Sequence, residues 1–242
     1  MSTLLNNIDV DLDEIRNKLY EKLKPSGWGD KLKTFLLSND FDQILNQLLK
    51  DAKEDKRFTP VLKQVFRAFE ECPYNELKCV IIGQDPYPQQ GTADGIAFSC
   101  SNIKHVPSSL KYIFKELEET VYKNKSYDWD TDLKRWSNQG ILLINSASTT
   151  TINNVGQHYD IWRPFMEFLF DLLSCENPGV IYAFLGRVAQ GWTGHAPEEA
   201  VKLIASHPAS AKHSSKEHWD SDDLFNKITN LMWKHHKYKM IW

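Results

Sequence analysis

Asp85 stands in the turn Gly83-Gln84-Asp85-Pro86-Tyr87-Pro88, directly after the apolar run Cys79-Val80-Ile81-Ile82. Each proline fixes its own φ, removes a backbone donor and pushes the residue before it toward extended geometry. A carboxylate and a phenol ring are thereby held in set directions. Three further polar or aromatic groups sit in similar places: Phe98 in Gly95-Ile96-Ala97-Phe98-Ser99, Asn145 after Ile141-Leu142-Leu143-Ile144, and His207 in Ser206-His207-Pro208. Such a set around one pocket suits cleavage of a bond between a sugar and a planar heterocycle. That reaction builds positive charge on the sugar and negative charge on the departing ring, so it needs a fixed anion on one side and donors on the other. Asp85 supplies the anion and holds the attacking water, while a neutral His207 donates to a carbonyl oxygen of the leaving group. Taken singly, each has a plainer reading: Asp85 as a solvated turn residue, Asn145 as a turn residue, Phe98 as core, His207 as a loop residue.

The elements that must position these groups follow from hydrophobic period. Residues 11–24 and about 41–52 are expected helices, with Asp11 and Glu14 spaced as a capping pair in the first. Thr59-Pro60 is expected to start a third, with Val61, Leu62, Val65, Phe66 and Phe69 inward. Apolar runs at 79–82, 141–144, 180–185 and 201–205 are expected strands. They alternate with helices after Val106-Pro107-Ser108-Ser109, around Leu133 and Trp136, around Trp162 to Leu173, and at about 220–236. The stretch 146–157 is expected to be loop. Alternation of this kind gives an α/β fold, here a single domain over residues 1–242 with a central four-stranded parallel sheet, helices on both faces and a helical N-terminal part, 1–55, packed on it. In a parallel sheet the strand ends at Asp85, Asn145, Gly186 and His207 share one edge, where open α/β sheets place their chemistry.

Composition narrows the class. A net charge of -3 gives no global attraction for nucleic acid, so DNA binding must rest on local positive charge. Cys72, Cys79, Cys100 and Cys175 form no Cys-x-x-Cys pair, which argues against a zinc or iron–sulfur site and for buried free thiols in a reducing compartment. No apolar stretch approaches the roughly 20 residues of a membrane span, and Met1 to Val10 lacks the pattern of a leader. A soluble cytoplasmic monomer is expected. A Gly-rich phosphate cradle, as a flavodoxin-like cofactor binder would need, is absent after the first strand.

Gly-Gln-Asp-Pro-Tyr at 83–87, followed by Gly91 and Gly95-Ile96-Ala97-Phe98-Ser99, resembles the water-activating and base-stacking segment of the uracil-N-glycosylase family of uracil-DNA glycosylases. Leu142-Leu143-Ile144-Asn145 resembles that family's base-reading strand, Gln157-His158 with Trp162 the segment after it, and Ser206-His207-Pro208 the start of its DNA-intercalation loop. The resemblance runs from about Trp28 to Trp242. It implies an enzyme that flips deoxyuridine out of DNA and hydrolyses its N-glycosidic bond, without metal or cofactor. It also implies that Asp85 orients water, His207 is the electrophile, Gln84 contributes backbone contacts, Tyr87 excludes thymine, Phe98 stacks and Asn145 reads uracil. The residue types agree: a carboxamide offers a donor and an acceptor, matching the amide edge of uracil and mismatching the amino edge of cytosine.

By the same resemblance, Pro107, Ser108, Ser109, Gly186, Arg187, Pro208, Ser210, Ala211 and Lys212 handle DNA, and a DNA-mimicking inhibitor protein is a possible partner alongside single- or double-stranded uracil-containing DNA. Ser109 also fits a plain helix N-cap. Here the chain departs from the family pattern. Its intercalation loop reads His207-Pro208-Ala209-Ser210-Ala211-Lys212, with Ala211 where the family carries a leucine wedge; Arg187 follows Gly186 in place of serine; and Pro88 replaces a histidine. A missing wedge implies weak extrusion and a preference for unpaired bases, which Ala211→Leu would relieve. Arg187, Lys212, His213 and Lys216 supply positive charge at the expected rim.

Overall fold

In the computed structural model the described residues are 11–101, 106–123, 125–213 and 218–242. The N-terminal decapeptide and Lys216 lie outside them, as does the side chain of His213. Helix α1 (Leu12–Leu23) is capped as its sequence implies, with the Asp11 carboxylate accepting from the amides of Asp13 and Glu14. A helix absent from the sequence expectation follows, α2 (Trp28–Leu36), separated from α1 by Gly27 at φ 80°. Its signal was present, since Trp28, Leu32, Phe35 and Leu36 recur at helical spacing and are all buried. Helix α3 (Asn39–Lys53) begins two residues before Phe41 because Ser38 caps it.

Thr59-Pro60 does not open a helix. Phe58–Thr59 forms a short strand, β1, antiparallel to β4 at Thr150–Thr151, so part of the expected 146–157 loop is strand. Pairing with Thr150 takes the backbone groups of Thr59 that a helix start would need. Val61 and Leu62 are 54% and 45% exposed, and helix α4 covers only Arg67–Glu71.

The central sheet has four parallel strands, β2 (Cys79–Gly83), β3 (Ile141–Asn145), β5 (Ile181–Leu185) and β6 (Lys202–Ala205), in the order β3-β2-β5-β6. Every residue of β2 and β5 is buried. Because neighbouring strand residues point to opposite faces, both faces must be covered. Helices α5 (Ser108–Glu116), α6 (Lys134–Ser137), α7 (Tyr159–Glu176), α8 (Arg187–Gln190) and α9 (Leu224–His236) fall between or after the strands. One hydrophobic cluster runs from Leu23 and Trp28 through the strands to Trp242. Among the described residues, no helix is long and apolar enough to cross a membrane. Cys72, Cys79 and Cys100 are buried free thiols, but Cys175 is exposed, because it lies on the outer side of α7 near that helix's end.

Candidate active site

Gly83 pairs with Asn145 in the sheet register, so β2 and β3 end level and their next residues enter one space. A Cβ on Gly83 would stand 2.5 Å from Asn145 Oδ1 and 3.0 Å from Phe98 Cζ. The bare glycine is what lets carboxamide and ring approach across the strand end. Ser146 fixes this corner, donating from both its amide and its hydroxyl to the Gly83 carbonyl at 3.1 and 2.9 Å. The cleft that opens here has a volume of about 720 Å³ and is lined by Gln84, Asp85, Tyr87, Phe98, Asn145 and His207. All six sequence-predicted base-site residues therefore converge.

Each is held by its own local chemistry. Asp85 Oδ2 accepts from the Gly156 amide at 2.8 Å. Burial pushes its pKa up from 3.8 to about 6, because desolvation outweighs that hydrogen bond. The Tyr159 hydroxyl lies beside Gln84 and Asp85, and burial raises its own pKa. Tyr87 donates its hydroxyl proton to the Phe98 carbonyl at 2.8 Å, so Ser109 Oγ, 2.9 Å away, is the donor to the phenol oxygen, and burial pushes the phenol's pKa up. Phe98 holds φ 65°, in the left-handed region. Its segment is anchored by Ala97 N–H on the Leu143 carbonyl at 3.1 Å and by buried Asp94, which accepts from Ser99 at 2.7 Å and faces Arg67 at 2.9 Å.

His207 lies across the cleft with its ring 5.9 Å from that of Phe98. Burial lowers its pKa, so the imidazole is neutral at ordinary pH. Its Nδ1 accepts from the Ala209 amide at 3.2 Å, which places the ring proton on Nε2 and leaves Nε2–H as the donor. Gly186, at φ 93°, lies against the same ring: a Cβ there would stand 2.9 Å from His207 Cβ.

The expected DNA-handling residues divide. Pro107, Ser108, Ser109 and Lys212 line the cleft, whereas Gly186, Arg187, Pro208, Ser210 and Ala211 do not. Arg187, Ser210 and Lys212 are exposed. Ser109 is buried and engaged on Tyr87, so it positions that ring, and the N-cap place on α5 belongs to Pro107. Gly186 supports His207, and Pro208 is buried. Ala211 is 2% exposed. Residues Pro208–His213 coil into a 3₁₀ segment against α5, and the Ala211 methyl is buried there. Sequence reading missed Gly156, Tyr159 and the Arg67–Asp94 pair. The glycine and Asp94 carry turn signals in Asn153-Asn154-Val155-Gly156 and Asp94-Gly95, but pairing with Asp85 and Arg67 leaves no local trace.

Known proteins match the chain over most of its length. Residues 69–232 match the family model described as the uracil DNA glycosylase superfamily. The chain is similar to a uracil-DNA glycosylase of Borrelia turicatae, 35% identical over 68% of this chain and 74% of the relative, and to one of Acinetobacter baylyi, 29% identical over 92% and 94%. The crystal structure of mimivirus uracil-DNA glycosylase superposes with a TM-score of 0.80 at 25% identity, covering 96% of this chain and 89% of that one. A mimivirus variant solved in complex with UGI gives a TM-score of 0.79 at 27% identity, over 89% and 87%. Matched by the family model over most of its length and by relatives above 30% identity, the chain belongs to the uracil DNA glycosylase superfamily.

Proposed function

We infer that this chain is a uracil-DNA glycosylase, a monofunctional hydrolase that releases uracil from DNA, leaves an abasic site and so serves base excision repair. The observation that carries the mechanism is the meeting of Asp85 and a neutral Nε2–H His207 in one cleft with Asn145 and Phe98. Phe98 stacks on the flat base and Asn145 pairs with its amide edge. Tyr87, locked by Phe98 and Ser109, occupies the room that a thymine methyl requires. As the glycosidic bond lengthens, the Asp85 carboxylate stabilises the cationic sugar and takes a proton from the incoming water. His207 Nε2–H donates to the carbonyl oxygen on which the leaving anion collects charge. A neutral donor suits this task because it polarises the base without releasing a proton.

Extrusion of the nucleotide costs a few kcal/mol. Exposed Arg187 and Lys212 are the phosphate contacts of this proposal, together with Pro107 and Ser108, which line the cleft with Lys212, and exposed Ser210. The whole chain works as one monomeric unit, the N-terminal helices sharing its core. The same rim fits a DNA-mimicking inhibitor protein, and buried free thiols accord with a reducing, cytoplasmic setting. Incubation with a deoxyuridine oligonucleotide tests the activity: free uracil appears and the strand becomes alkali-labile, while the thymine counterpart stays intact. No free uracil from either single or double strands at high enzyme concentration refutes it.

A further inference from the structure

Behind the cleft runs a buried polar chain that the reaction above does not use. Trp162 Nε1–H donates to Thr149 Oγ1 at 2.7 Å, Thr149 Oγ1 lies 2.8 Å from His158 Nδ1, and His158 Nε2 lies 2.9 Å from Asp51 Oδ2. Gln47 donates to the other oxygen of Asp51 at 2.9 Å. Asp51, Thr149, His158 and Trp162 are 4%, 0%, 2% and 1% exposed. An indole N–H only donates and the Asp51 carboxylate only accepts, so neutral His158 carries its proton on Nε2 and accepts at Nδ1 from the Thr149 hydroxyl, which in turn accepts from Trp162. His158 then donates from Nε2 to Asp51, and the chain has one consistent direction. A buried charged pair is weak evidence of stability on its own, because well-packed apolar side chains often replace one without loss.

Thr149 and His158 are the two ends of the segment that carries Gly156, and Gly156 N–H is bonded to Asp85. The segment is held between its ends as well, by Ile152 N–H on the Arg57 carbonyl at 2.8 Å and Asn153 N–H on the Pro88 carbonyl at 3.0 Å. Gly156 has φ 78°, and a Cβ there would lie 2.8 Å from the Tyr159 ring. Its amide reaches Asp85 from this left-handed conformation, which fixing both ends of the segment helps to hold. We propose that Asp51 and His158 are positioning residues of the reaction: through Thr149 they fix the 149–158 segment and so keep the Gly156 amide on the catalytic carboxylate.

The proposal rests on the reading of Asp85 given above. Asp51 lies on α3, outside the 69–232 match to the family model, so helices ahead of that region tune the active-site acid. The charged groups near the network are Lys56, which faces Asp51, with Asp55, Arg57 and Asp160 around the adjoining hollow. The titratable group facing Asp85 is Tyr159.

The test is a carboxyl-carbon NMR titration of Asp85, run beside the pH profile of single-turnover uracil release. The set comprises the wild type, Asp51→Ala, Asp51→Asn, His158→Ala and, as control, Leu48→Ala, which loses core packing on the same helix. Loss of an N–H donor to a charged acceptor is worth about one pK unit or more. Asp51→Ala and His158→Ala therefore move the Asp85 titration up by about one pH unit, which reads as roughly tenfold slower release at about pH 5 and a smaller change at about pH 8. Asp51→Asn, which keeps an acceptor, moves it the same way by less, and it decides the matter if the alanine variant does not fold. Leu48→Ala melts earlier with Asp85 unmoved. An unchanged Asp85 titration in the Asp51 variants, or an equal shift in Leu48→Ala, overturns the proposal. A wild type that releases no uracil would sink the functional reading instead, and the carboxyl titration would still decide this one.

Discussion

Gly83→Ala places a methyl group where Asn145 and Phe98, the two side chains proposed to contact the base, meet. Its carbon would stand 2.5 Å from Asn145 Oδ1 and 3.0 and 3.1 Å from the Phe98 ring. Ordinary non-bonded contact begins at about 3.5 Å, so one neighbour must retreat by about 1 Å. Phe98 is the less able to move, because Tyr87 bonds its carbonyl, the Ala97 amide is tied to β3 and His207 faces its ring. The Asn145 carboxamide therefore gives way and loses register with the base. A displacement of about 1 Å in a positioning group lowers turnover about 100-fold, equivalent to about 2.7 kcal/mol of barrier. The sheet persists, since the ladder partners of Gly83 are backbone groups and its φ lies outside the left-handed region. Single-turnover uracil release by the variant, beside its thermal melt, measures both. Release within about threefold of the wild type by a folded variant would refute the claim that this glycine sets the approach of Asn145 and Phe98.

The pH profile carries a second expectation: with the Asp85 pKa at about 6, release falls about tenfold per unit below that point, and an acid limb near 4 would mean a solvated carboxylate. Stability follows from the same shift. Between the ordinary 3.8 and about 6 the folded chain holds a proton that the unfolded chain has lost, so folding gains from Asp85 at low pH and that gain disappears as pH rises through 6. Asp85→Asn should consequently melt no lower than the wild type at about pH 7.5, as thermal melts would show. Ala211→Leu forces extra methylenes into a site that is 2% exposed; it should destabilise by about 1–3 kcal/mol in chemical denaturation and leave cleavage of duplex unimproved. A gain in duplex cleavage would restore the wedge reading.

The sheet and its active edge were legible because buried parallel strands write themselves as apolar runs ended by turn formers. The runs before Gly83, Asn145, Gly186 and His207 located all four strand ends to within a residue or two. Asp85 stood out because the proline after it restricts its backbone and prolines on both sides hold the neighbouring Tyr87. Where the reading failed, a tertiary partner decided the outcome. Thr59-Pro60 has the composition of a helix start, but Thr150 claims its backbone. Ala211 sits in a loop motif by sequence, yet α5 supplies an apolar surface that draws it inward. Ser109 reads as a cap or a DNA-handling residue until Tyr87, 22 residues earlier, is seen to take its hydroxyl. The partners of Asp85 and of His158, Gly156 and Asp51, lie 71 and 107 positions away, and no local pattern encodes such pairings.

The proposed reaction has one carboxylate and one neutral imidazole, brought to the same strand edge, break the glycosidic bond together. It is tested most directly by single-turnover uracil release from deoxyuridine oligonucleotide by Asp85→Asn, His207→Leu and the double variant, each checked for folding by its melt. Each single change should slow release by at least about 100-fold, with the folded state retained. Release at the wild-type rate by either folded single variant would contradict it.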